Sequence, residues 1–260
     1  AEGAHVGLGH NSIVRGPDLD SDYMVYHSHA NPGRNLNLDR VVWNGDKMLV
    51  LGPTTSEQPD PAMPEFSDRF QRNGLGNDWK VVGGGNWGIR DSSTLYQDVM
   101  GEPKQSHMLI SQKATDDNFT AEFNLKQVEQ GNSTNPQMGA VFSYKNEKNY
   151  GVAVLNSKQN RLETVFRVDD KDTERVTVPL PDGYDYTKWH QIRVEKENFD
   201  YRIYVDGMLK QTRSVEHLGK GKIGYTTTDA HVDFGYVAFS NKVGGNSANA
   251  AYKPIPGEIQ

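Results

Sequence analysis

Apolar and polar residues alternate with a period of two through most of the chain beyond residue 118. Phe119, Ala121, Phe123 and Leu125 make one run, Ala140, Phe142 and Tyr144 a second, and Tyr150, Val152 and Val154 a third. The alternation continues through Leu162, Thr164, Phe166 and Val168, through Ile192 and Val194, through Tyr201, Ile203 and Val205, and closes at Val232, Phe234 and Tyr236. Successive side chains of a strand point to opposite faces, so this period predicts half-buried strands. Hairpin signals such as Asp206-Gly207 separate the runs, and no stretch of helical period is long enough to compete. The expected fold class is all-β, with residues 66–242 forming a two-sheet, jelly-roll sandwich.

The first 51 residues follow a different plan. Ile13-Val14, Tyr23 to Tyr26, Leu36 to Trp43 and Met48 to Leu51 read as four short strands. They are separated by the turn clusters Gly16-Pro17-Asp18, Asn31-Pro32-Gly33 and Asn44-Gly45-Asp46, where glycine supplies positive φ and proline a fixed one. Four antiparallel strands joined by tight turns match one blade of a β-propeller. A blade buries its faces only against neighbouring blades, so partner blades are expected in an N-terminal part outside this chain. Residues 52–65 carry four prolines and predict an extended, semi-rigid linker. Residues 243–260, which include Gly244 to Asn249, predict a loop-like tail.

Composition narrows the partners. A net charge of −6, from 28 basic and 34 acidic residues without a basic run, argues against nucleic acid, and nothing resembles a transmembrane span. Twelve Tyr, nine Phe and four Trp offer faces for sugar rings, with Trp87, Tyr96 and Tyr150 as candidates whose facing the sequence leaves open. The absence of Cys excludes disulfides and thiolate metal sites but leaves a secreted or periplasmic location possible. The start, Ala1 to His5, has neither an initiator Met nor a signal peptide and reads as cut or processed. Two sequons, at Asn118 and Asn132, are of a kind that arises by chance.

Gly9-His10-Asn11-Ser12, Gly33-Arg34-Asn35-Leu36, Leu38 to Trp43 and Gly52-Pro53-Thr54 form an ordered series. Together they resemble the last blade of glycoside hydrolase family 43, five-bladed propellers that cleave mostly arabinose- and xylose-containing polysaccharides with inversion. The resemblance implies that His10 sits near the propeller axis below the substrate pocket, and that Arg34 faces the subsite of the cleaved sugar. A guanidinium suits that place, being permanently charged with a rigid fork of donors. The alternatives are a structural His10 and a solvated turn Arg34; His27 and His29, at a strand end, are expected to be structural. Inverting hydrolysis needs two carboxyl groups about 6.5–9.5 Å apart, which in the family come from earlier blades. No catalytic acid or base is therefore expected in this chain, and the chain alone should be inactive. Asp18, Asp20 and Asp22 read as a solvated hairpin tip, and Asp39 as facing solvent or pairing with Arg40.

Phe66-Ser67-Asp68-Arg69-Phe70, Trp79 and the closing Val232-Asp233-Phe234-Gly235-Tyr236 resemble the concanavalin-A-like sandwich appended to many family 43 enzymes. That resemblance implies a structural Ca²⁺ joining the chain ends through Asp68 and Asp233, weakened by Ser67 in place of a second Asp; the alternative is two polar strand-end residues. The leading expectation is the C-terminal part of a glycosidase acting on a poly- or oligosaccharide, as arabinofuranosidase, xylosidase or arabinanase. A non-catalytic carbohydrate-binding module and a structural spacer are the rivals.

Overall fold

A computed structural model describes residues 5–44, 46–241 and 243. The expected tail at 243–260, Val243 apart, and the turn residue Gly45 lie outside the described residues. All regular elements among the described residues are strands. The chain divides into two compact units, one reaching to Pro64 and the other spanning Glu65–Asn241.

The first unit is a four-stranded antiparallel sheet in sequence order. Its strands are β1 (Gly9–Arg15), β2 (Asp22–His29), β3 (Arg34–Asn44) and β4 (Lys47–Val50). Register gives each face its own apolar set. Ile13, Trp43 and Met48 stand on the face of Met24 and Asp39, whereas Val14, Leu36, Leu38 and Leu49 stand on the face of Tyr23 and His27. All seven are exposed, Leu36 to 81% and Trp43 to 50%. The sheet thus carries two unburied apolar faces, more than a lone domain sustains.

Two expectations about its acids are corrected. Asp39 is 2% exposed, accepting from Tyr26 Oη and, at 2.6 Å, from Thr54 Oγ1. It therefore does not face solvent; it ties the first residues of the proline-rich segment to the sheet. Asp18 and Asp20 are each 1% exposed rather than solvated, because Asp18 folds back to accept from the backbone of Asp20 and Ser21 and from Ser21 Oγ. Asp22 pairs with Arg15 at 2.7 Å.

The second unit is a β-sandwich of two eight-stranded sheets. The first sheet runs β18 (Met208–Ser214), β17 (Asp200–Val205), β16 (His190–Glu197), β10 (Phe119–Gln130), β20 (Ala230–Ser240), β8 (Thr94–Gln97) and β7 (Trp87–Arg90), with β5 (Phe66–Asp68) on β20. The second runs β14 (Lys171–Asp172), β13 (Arg161–Val168), β12 (Asn149–Asn156), β11 (Gln137–Asn146), β19 (Lys222–Thr228), β9 (His107–Ala114) and β6 (Trp79–Val82), with β15 (Val176–Pro179) on β13. Between them lies one apolar layer that includes Phe119, Phe123, Phe142, Phe166, Tyr201 and Phe234, all fully buried.

Two bulges and one inversion alter the expected facing. In β11 the register shifts after Phe142, where Ser143 takes φ 48°, so Tyr144 leaves the core and packs on the outer face. A second shift lies between Phe234 and Tyr236 on β20. In β12 it is Ala153 and Leu155 that enter the core, and Tyr150 and Val152 pack on Val141 and Met108 outside it.

Candidate functional site

The sequence candidates of the first unit gather at one end of its sheet. His10 occupies the extra position of a bulge in β1, between the pairs Gly9↔His27 and Ser12↔Val25, with φ 53°. That conformation is uncommon for a residue with a side chain, and such strain concentrates at functional sites. The bulge sets the His10 ring 6.4 Å from that of His27, which in turn stacks on His29 at 6.1 Å. Arg34 opens β3 directly opposite His29, and the two line an open depression with Ala30 and Gly33. His27 has its pKa lowered, by burial first and then by the charge of Arg34 and the neighbouring His29 and His10. Three imidazoles and a guanidinium thus share one end of the sheet.

Asp68 and Asp233 are not brought together. Asp68 pairs with Val237, whose side chain is in the core, so Asp68 points inward. Asp233 lies between the buried Val232 and Phe234 and therefore points outward, from the opposite face of the sheet and on the order of 12 Å along β20. Each carboxylate is already held. Asp68 accepts both guanidinium arms of Arg72 at 2.7 and 2.8 Å, Trp79 Nε1 at 2.7 Å and the Phe70 N–H at 2.7 Å. Burial opposes its ionisation, yet these donors hold its pKa below the ordinary value. Asp233 pairs with Arg90 and, at 3.3 Å, with Lys126. The two aspartates do not fit a shared Ca²⁺, which needs six to eight oxygens around one centre. No cluster of three or more potential metal-ligating His, Cys, Asp or Glu occurs among the described residues.

The aromatic candidates separate cleanly. Trp87 is 9% exposed and stacks on Phe234 in the core. Tyr96 stands on the first sheet beneath the Arg90 guanidinium. Tyr150 lines a cleft on the outer face of the second sheet with Val152, Val154, Val165, Arg167 and Arg175. Nothing in the local sequence marks Arg167 and Arg175 as cleft residues. The available signal was that the strand from 149 to 156 is apolar in both alternating sets, one more than a core requires.

No protein-family model matches the chain, and no curated protein does. Solved structures do. The carbohydrate binding module CBM66 from Bacillus subtilis is 18% identical with a TM-score of 0.53, over 63% of this chain and 95% of that one. A Bacillus licheniformis β-glucanase is 12% identical with a TM-score of 0.54, over 68% of this chain and 98% of its own. A longer match is the GH43 protein BlXynB from Bacillus licheniformis, 15% identical with a TM-score of 0.52, covering 93% of this chain and 55% of that one. This chain therefore spans about half the length of the GH43 protein it resembles. At these identities the shared property is the fold, and the folds in question are those of carbohydrate-binding modules and glycoside hydrolases.

Proposed function

We propose that this chain is the C-terminal part of a family 43-like glycoside hydrolase, whose first unit completes a propeller and lends His10 and Arg34 to its sugar pocket. The observation that carries the reading is the four-stranded sheet with large apolar side chains exposed on both faces, the condition of a blade without its neighbours. The edge formed by His10, His27, His29 and Arg34 supports it, since these groups order hydroxyls and carboxylates without themselves being acid and base. The acid and base come from the N-terminal propeller part, on the same or a separate chain, and the substrate is an arabinose- or xylose-containing polysaccharide.

In the complete enzyme, Arg34→Ala should lower kcat/KM by roughly ten- to a hundredfold while leaving the melting temperature nearly unchanged. That is the effect of losing a charge-assisted contact worth about 1.5–3 kcal/mol. An exposed turn arginine would change neither, and near wild-type kinetics would remove Arg34 from the pocket. The isolated chain should not turn over aryl-arabinosides or aryl-xylosides.

A further inference from the structure

The cleft on the outer face of the second sheet is built wholly within the unit 65–241. It holds about 430 Å³, within the roughly 300–1,000 Å³ of small-molecule sites. Its floor follows from strand register. Val141, Val152 and Val165 lie side by side on β11, β12 and β13. In the next row Gly139 falls between Val154 on β12 and Thr226 on β19, with Met108 beyond on β9. A side chain has no room at Gly139, where a Cβ would run into the Ala153 carbonyl oxygen and Val154, so Val154 closes over that position. At one end Tyr150 pairs with Arg167 across β13, and its ring lies 5.9 Å from that of Tyr144.

Both arginines of the cleft are paired in place. Arg167 Nε donates to Asp172 at 2.8 Å, and Arg175 Nη1 donates to Glu163 at 2.7 Å. Glu163, 1% exposed, is further fixed by Gln137, Asn156 and Arg161. Lys104 and Glu147 also stand on the wall, and both guanidiniums are already paired. An anionic ligand would have to compete with Asp172 and Glu163 for the guanidiniums. An uncharged polyol would not, because each guanidinium has five N–H donors and keeps some free while paired.

We propose that this cleft binds a neutral carbohydrate. The C–H face of a sugar ring lies on Tyr150 and the valine floor, and its hydroxyls take the spare donors of Arg167 and Arg175 and the oxygens of Asp172. A sugar is the common ligand that presents an apolar face and a dense rim of hydroxyls together, which is the composition of the recess. The site is distinct from the edge formed by His10 and Arg34 and stands or falls without it.

The test is isothermal titration of the full 260-residue chain against soluble xylan, arabinan, β-glucan and fructan, with polygalacturonate as the anionic control. At least one neutral polymer should bind. Tyr150→Ala should weaken it about tenfold, the scale of one lost ring contact, and Tyr150→Phe should retain it. Trp189→Ala, which removes an aromatic 45% exposed on the other sheet, should bind as wild type. Arg167→Gln reads the same wall if Tyr150→Ala does not fold. Binding to none of the neutral polymers, binding of polygalacturonate alone, or loss in Trp189→Ala with retention in Tyr150→Ala would each overturn the proposal. None of these outcomes bears on Arg34, so the hydrolase reading is tested separately.

Discussion

Asp39 shows what a single buried carboxylate does for a thin sheet. It is 2% exposed and accepts the Tyr26 hydroxyl together with the backbone N–H and hydroxyl of Thr54. Burial, then the hydrogen bond to Asp39, pushes the Tyr26 hydroxyl pKa up, so it remains a donor throughout the ordinary pH range. Gly52 leaves the room for this contact, since a Cβ there would run into the Asp39 carboxylate. Asp39→Ala strands three donors at once and should cost about 1.5–3 kcal/mol, the range for hydrogen bonds to a charged group. Urea unfolding followed by a probe in the first unit, Trp43 fluorescence, would read it. An unchanged midpoint would show that the sheet does not depend on the tie.

At the scale of elements, the β17–β18 hairpin is fastened to the start of β16 by a titrating group. Its turn residues Asp206 and Gly207 have φ 48° and 78°, as a tight two-residue hairpin requires. His190 Nδ1 lies 2.8 Å from Asp206 Oδ2 and Nε2 lies 2.8 Å from the Asp185 carbonyl. Both ring nitrogens face acceptors, which suits the doubly protonated ring. Burial lowers the His190 pKa, but these acceptors outweigh it and raise the value above the ordinary 6.5. Asp206 moves the other way, burial raising its pKa and the His190, Tyr184 and Gln191 donors bringing it below the ordinary 3.8. The His190 contribution is therefore complete below about pH 6.5 and is lost as pH rises through its folded value. The Asp206 contribution is present above about pH 3.8 and is lost as pH falls through its own. Denaturant midpoints should fall from pH 6 to pH 8 in the wild type, and His190→Gln should flatten that slope. An identical slope in the variant would assign the pH dependence elsewhere.

At the scale of the whole molecule, residues 65–241 hold a complete apolar layer between two sheets, whereas the first unit leaves apolar side chains exposed on both faces. The excised segment 65–241 should therefore melt cooperatively on its own, with the same Tm in millimolar calcium and in chelator. A calcium-dependent rise would mean that Asp68 or Asp233 releases its cationic partners for a metal. The sequence alone determined the all-β class and the turns, because a period of two and the glycine and proline punctuation are local properties. It also held the His10 and Arg34 candidates, carried by a resemblance rather than by spacing. Facing was beyond it wherever a strand is apolar on both sides or bulges, as at Tyr150 and Tyr144, since one residue of register exchanges the two faces. Only the tertiary structure decided that Asp68 points inward to Arg72 and Trp79 while Asp233 points outward to Arg90, and that Arg167 and Arg175 meet over a valine floor. Those relations join residues of different strands, and strand order and register, rather than any single segment, bring such residues side by side.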